Sequence, residues 1–197
     1  RFSIVNYELL IPIGLGAGPG LLFVYFIAPL IERRFWPEPK QLFDAVQLAR
    51  KSRVEILLKR GLSLDQRDDG GKTPLHWAAM LGIDDVVETL LLHGARVDEP
   101  DGRHGYTPLI FACINGHLGV IRLLLKHHAS IEAKGLTGKT ALHLAAFAGR
   151  KDVVQELLAQ GASIDARDDD DQTPLSMARH ANKDELVSLL EELGARD

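Results

Sequence analysis

The sequence predicts a mostly α-helical solenoid of stacked helix-turn-helix units, preceded by one apolar helix. Three observations carry this. A four-residue motif recurs at near-constant spacing through the C-terminal four fifths of the chain, a bulky apolar pattern follows each copy, and residues 9–31 hold no charge. Averaged over 197 residues these regions cancel: the chain is 46% hydrophobic and 25% charged with a formal net charge of -4. That composition excludes a wholly disordered chain, because enough apolar surface exists to offset chain entropy. The mild acidity argues against nucleic acid as a partner, since phosphates require clustered Lys and Arg. The single cysteine, Cys113, excludes an intrachain disulfide framework and a Cys-only zinc site.

The first 40 residues differ from the rest. They hold seven of the twelve aromatic residues (Phe2, Tyr7, Phe23, Tyr25, Phe26, Phe35 and Trp36) and sum to a charge of +1, leaving -5 on the remainder. From Leu9 to Ile31 run 23 uncharged residues, which as a helix would extend about 34 Å against a hydrocarbon core of about 30 Å. Residues 9–35 therefore read as a single transmembrane segment after a short flank at 1–8. Tyr7 and Trp36 fall where interfacial aromatics belong, and Arg33 and Arg34 can reach headgroups. The basic residues lie on the C-terminal side, which puts the body on the cytosolic, stromal or matrix side. Gly14, Gly16, Gly18 and Gly20 form two small-xxx-small pairs that let another helix approach closely, and Pro19 and Pro29 interrupt regular backbone. Broken backbone in lipid is tolerated where protein covers it, so this segment is expected to pack on partner subunits. A re-entrant segment, helical only from Gly20 to Arg34, is the alternative geometry. No basic start or small-residue cleavage site marks a signal peptide. Arg1 in place of Met reads as a processed or incomplete N-terminus.

Residues 36–40 read as a short linker, and beyond them the chain repeats. Thr73-Pro74-Leu75-His76, Thr107-Pro108-Leu109-Ile110, Thr140-Ala141-Leu142-His143 and Thr173-Pro174-Leu175-Ser176 are spaced by 34, 33 and 33 residues. A second phase is Gly61-Leu62, Gly94-Ala95, His128-Ala129, Gly161-Ala162 and Gly194-Ala195, and a third is Asp65, Asp98, Glu132 and Asp165. The one extra residue falls between Asp98 and Thr107, in a turn, so the register survives.

These three phased motifs closely resemble the ankyrin repeat over residues 41–197. The resemblance implies a capping half-repeat at 41–67, repeats at about 68–100, 101–134 and 135–167, and a C-terminal cap at 168–197, each unit a helix-turn-helix plus a β-turn or hairpin. Each Thr can cap a first helix, with Pro at the position where its missing N–H costs nothing. Paired small residues (Ala78-Ala79, Ala112-Cys113, Ala145-Ala146) allow close helix approach, and runs such as Val86-Val87-Leu90-Leu91 supply the apolar face of a second helix. The following Gly ends that helix in a left-handed conformation; His128 in one such place predicts local strain. Gly71, Gly105 and Gly138 read as turn residues, and Asp171 stands in the same place.

Every residue with chemical potential has a structural explanation in this frame. His76 and His143 belong to the repeat motif, where the resemblance implies that the imidazole ties adjacent turns. Cys113 replaces an alanine on a packed face. His117, His127 and His128 lack metal-ligand spacing. Asp168-Asp169-Asp170-Asp171 lacks the alternation of a calcium loop and reads as an acidic turn tip. Gly70-Gly71-Lys72-Thr73 lacks the upstream glycine and strand of a phosphate loop. No catalytic set appears, so no enzyme, metal or cofactor is expected.

Recognition of protein remains. Ankyrin arrays bind through turn tips and the exposed side of each first helix. Carried across, the tips are Asp69, Lys72, Arg103, His104, Tyr106, Leu136, Lys139, Asp169 and Gln172. The helix positions are Met80, Leu81, Ile114, Asn115, Phe147, Ala148, His180 and Ala181. Met80, Leu81, Ile114, Tyr106 and Phe147 would form an apolar strip for a partner, with Lys72, Arg103 and Lys139 beside it. Together the two halves predict a non-enzymatic accessory or scaffold subunit of a membrane complex. An organelle energy-converting complex suits it, such as a photosystem in a thylakoid or a respiratory complex in the mitochondrial inner membrane. Its partners would be membrane-complex subunits and membrane lipid. The alternative is a peripheral regulator that recruits or inhibits an enzyme, with its apolar N-terminus in a partner groove.

Overall fold

The computed structural model describes residues 38–196 as ten α-helices, with no β-strand among the described residues. The expected membrane segment 9–35, with Gly14, Gly16, Gly18, Gly20, Tyr7, Arg33, Arg34 and the adjoining Trp36, lies outside them. No helix among the described residues is long and apolar enough to cross a membrane. Residues 39–197 form one compact unit.

The helices come in pairs. α1 (Glu38–Gln47) and α2 (Lys51–Lys59) make the first, α3 (Pro74–Leu81) and α4 (Asp84–Leu92) the second, α5 (Pro108–Asn115) and α6 (Leu118–Lys126) the third. α7 (Ala141–Phe147) with α8 (Lys151–Ala159), and α9 (Pro174–His180) with α10 (Asp184–Glu192), complete the array. α3, α5, α7 and α9 pack side by side in one layer, and α2, α4, α6 and α8 in a second.

Local chemistry sets where the inner helices begin. Thr73, Thr107, Thr140 and Thr173 all hold extended backbone just ahead of them, as a capping residue must. At Thr173 the hydroxyl accepts from the Ser176 N–H at 3.1 Å, while the Thr173 N–H donates to Ser176 Oγ at 2.9 Å. At Thr73 and Thr140 a histidine takes the serine's place: each threonine N–H donates to the imidazole Nδ1, at 3.0 and 3.2 Å. Ile110 holds that position in the third pair and has no polar atom to offer. The Thr107 hydroxyl is buried without a partner.

The layers close on a continuous core. Ala78, Ala79, Ala112, Cys113, Ala145 and Ala146 are wholly buried, which brings the inner helices close. Val86, Val87, Leu90, Val120, Ile121, Leu124, Val153, Val154 and Leu157 fill the space between layers. Burial pushes the Cys113 thiol pKa far up, leaving it protonated and inert. In α10, with no further unit beyond it among the described residues, Val187 and Leu189 are only half-buried.

The connections between pairs are shorter than hairpins with strands. Each tip is closed across its base by a backbone bond: Asp68 N–H to Lys72 O, Asp101 N–H to Tyr106 O, Gly135 N–H to Lys139 O and Asp168 N–H to Gln172 O, with a second, tighter turn bond from Gly71, Gly138 and Asp171 N–H to Asp68, Gly135 and Asp168 O. Single bonds also join neighbouring tips, from Gly102 N–H to Gly70 O, Leu136 N–H to His104 O and Asp169 N–H to Thr137 O. These bonds are too few for a ladder, so the hairpin element of the expected unit is a turn. His128 and Asp171 adopt the expected left-handed backbone, with φ of 66° and 60°. A further left-handed phase is shared by Ala49, Gly82, Gly116, Gly149 and Asn182, each in the turn between the two helices of a pair.

Candidate binding face

The tips are held by carboxylates that begin each turn. Asp68 Oδ1 accepts from the Gly70 and Lys72 N–H groups at 2.9 and 2.8 Å, and Oδ2 accepts from Trp77 Nε1 at 2.8 Å. Asp101 Oδ1 accepts from His104 and Tyr106 at 3.0 and 2.8 Å; Asp168 Oδ1 accepts from Asp170 and Gln172 at 3.0 and 2.8 Å. Burial pushes each of these carboxyls up, but the donors outweigh it and hold all three below the usual aspartate range. Asp168 therefore clamps the start of its turn, where the sequence read it only as part of an acidic tip.

Position 135 is the exception. Glycine occupies it, and the Tyr106 ring lies over the vacated space; a Cβ there would come within 2.6 Å of Tyr106 Cε1. Tyr106 stacks on His104 at 5.1 Å between centroids and meets Phe111 edge-on at 5.9 Å. Phe111 meets His76 edge-on at 5.7 Å and takes the Lys72 ammonium 5.5 Å above its ring. The middle tips thus carry a connected aromatic group.

Around it stand the side chains expected from sequence. Leu136 is 71% exposed, Phe147 50% and Leu81 42%. Met80, Ile114, Asn115 and Tyr106 are half-buried, and Arg103 is exposed. Asn115 donates to the Phe111 carbonyl of its own helix at 2.8 Å. Asp69, His104, Asp169 and His180 are exposed, and Gln172, Ala148 and Ala181 half-buried. Lys139 points elsewhere: its ammonium lies 2.8 Å from Asp168 Oδ2, which clasps the last two tips together. The ion pair keeps the lysine charged, its pKa raised by the Asp168 contact.

Beneath the face, residues from one unit tie to the next. His76 Nε2 meets Tyr106 O and His143 Nε2 meets Gln172 O, both at 3.0 Å. Because the threonine N–H can only donate, Nδ1 must accept and Nε2 must carry the proton; both imidazoles are neutral. Burial lowers the pKa of each histidine, against the raising effect of the carbonyl it meets. His117 Nε2 meets Met80 O and Arg150 Nε donates to Ile114 O, both at 3.0 Å. Three of the four carboxylates of the third sequence phase have a matching role. Asp98 accepts from Ser130 N–H, Glu132 from Ser163 N–H and Asp165 from Arg196 N–H, at 3.0, 2.8 and 2.8 Å. Sequence showed that phase without its purpose, because the partner N–H carries no side-chain signature. Among the described residues, no three His, Cys, Asp or Glu side chains are grouped to hold a metal ion.

A stack of paired helices, tied through every turn and presenting one row of tips, defines a repeat solenoid. The family model for ankyrin repeats, in three copies, matches residues 42–135, 96–168 and 132–196, and the chain belongs to that family. Among curated proteins it is 37% identical over 84 residues to palmitoyltransferase Hip14 of Drosophila melanogaster, covering 43% of this chain and 13% of that protein. It is 42% identical over 72 residues to the E3 ubiquitin-protein ligase XBAT33 of Arabidopsis thaliana, covering 36% and 14% respectively. A putative palmitoyltransferase ZDHHC13 of Danio rerio is 32% identical over 96 residues, covering 47% and 15%. These matches span less than a sixth of each relative's length.

Proposed function

Ankyrin repeats imply protein–protein interaction, and we propose that this chain performs it as a non-enzymatic scaffold subunit of a membrane-bound assembly. The partner surface is the strip of Met80, Leu81, Ile114, Phe147 and Tyr106, edged by Lys72, Arg103 and Leu136. One observation carries the reading: large apolar side chains stand exposed at Leu81 in the 68–100 repeat and at Leu136 and Phe147 in the 135–167 repeat, with half-buried Tyr106 and Ile114 in the repeat between them. Exposed apolar residues aligned along a rigid face are what a partner's anchors fill. The similar repeats in an acyltransferase and a ubiquitin ligase support a binding role that is independent of any one chemistry.

The membrane part of the proposal rests on the uncharged stretch from Leu9 to Ile31 and its basic C-terminal flank. It puts the repeats on the cytosolic, stromal or matrix side; the membrane of an energy-converting organelle is the setting first expected for such a subunit. The face is tested by Met80→Glu, Ile114→Glu and Phe147→Glu, scored by retention of chains that co-purify with the wild type in mild detergent. All three sites are at least partly exposed, so the fold should persist by circular dichroism while retention falls at least tenfold; full retention overturns the face. Carbonate extraction of native membranes tests the anchor: the chain should stay in the pellet, and release would favour a peripheral regulator.

A further inference from the structure

The array is electrically polar. Residues 41–67 carry six Lys or Arg against three Asp or Glu, whereas residues 168–197 carry three against nine. The positive end is concentrated on α2 and the residues flanking it, where Arg50, Lys51, Lys59 and Arg60 are all exposed. None of the four makes an ion pair among the described residues, and Glu55 is the only acid between positions 50 and 60. The same edge leaves Leu48 61% and Ile56 44% exposed. Val54 and Leu57 turn inward, so helical spacing places Ser52, Ile56 and Arg60 along one outward line, with Lys51 and Lys59 beside it.

We infer that this edge docks on a bilayer surface bearing anionic lipid headgroups. The inference rests on the membrane reading of residues 9–35 and deepens it. Long Lys and Arg side chains reach phosphates while adjacent aliphatic groups enter the headgroup layer, a combination suited to a lipid interface. Arg33, Arg34 and Lys40 continue the positive sign between the uncharged stretch and the cap. An anionic surface repels the acidic opposite end, so charge alone selects which end of the solenoid approaches it.

The test places an environment-sensitive fluorophore at Ser52→Cys in the full chain; Cys113 is wholly buried and does not compete for the label. The chain is reconstituted into phosphatidylcholine vesicles with or without about 30 mol% phosphatidylserine. The label should move into an apolar environment only with phosphatidylserine, and return to water as salt is raised. Each cation near such a surface contributes about fivefold, so Lys59→Glu with Arg60→Glu should lower the docked-to-free ratio at least about 25-fold, while Lys59→Arg leaves it unchanged. The salt titration of the wild-type cap needs no altered charge and stands even if the reversal variant unfolds. Equal signals in the two lipids, or a signal insensitive to salt, overturn the inference and leave these cations to an acidic protein surface. Carbonate extraction from pure phosphatidylcholine vesicles reports on the span separately, so failure of the anchor and failure of the cap are distinguishable.

Discussion

At single residues, the two motif histidines illustrate how position decides chemistry. Each is neutral by geometry, accepting from a threonine N–H and donating to a carbonyl about thirty residues away in the next unit. Burial holds both pKa values below the usual 6.5. The unfolded chain therefore binds more protons than the native one as pH falls below about 6.5. Their contribution to stability is full above that pH and declines toward the lower folded values. We predict a urea midpoint that drops between pH 6.5 and 5, with a shallower drop in a His76→Asn, His143→Asn variant measured over the same range. The structural role of these histidines was legible from their place in the motif. That Lys139 binds Asp168 was not, because its motif position resembles those of Lys72 and Tyr106, which point to other neighbours. The next turn's first residue does not by itself separate them: Lys139 meets the aspartate at 168 and Tyr106 covers the glycine at 135, yet Lys72, with an aspartate at 101, lies over Phe111 instead.

At the level of helices, the Thr–Pro starts were readable because capping is local. Its execution differs between units: Thr173 exchanges two bonds with Ser176, whereas Thr107 faces Ile110 with its hydroxyl unpartnered. Thr173→Val should cost about 1 kcal/mol and Thr107→Val less than about 0.5 kcal/mol, compared by denaturant midpoints. A larger loss at Thr107 would mean that its hydroxyl finds a partner. The left-handed turn between paired helices escaped the sequence reading at every unit, and at Ala49 and Asn182 no glycine marks it; packing imposes the same backbone there as at Gly82, Gly116 and Gly149. The choice between a β-turn and a hairpin was open in the sequence for a related reason. Turn residues announce a reversal of the chain, while ladder length depends on how many groups the neighbouring tip can meet.

For the whole array, stability is expected to be shared through neighbour contacts rather than held in one unit. Removing residues 168–197 would strip Lys139 of its carboxylate partner and His143 of the Gln172 carbonyl, and would uncover buried Leu142 and Ala146. We predict that this truncation lowers the urea midpoint sharply and promotes self-association by size-exclusion chromatography; a midpoint equal to the parent's would mean the last unit is dispensable. The sequence by itself determined the repeat period, the family, the helix starts and the separation of an uncharged segment from an acidic body, all of which follow from spacing and local preference. Only the tertiary structure decided which charges face outward and which are clasped, what the third phase of carboxylates holds, and how Tyr106 comes to cover Gly135. Those outcomes depend on residues about thirty positions apart meeting across stacked units, and no local pattern encodes that meeting.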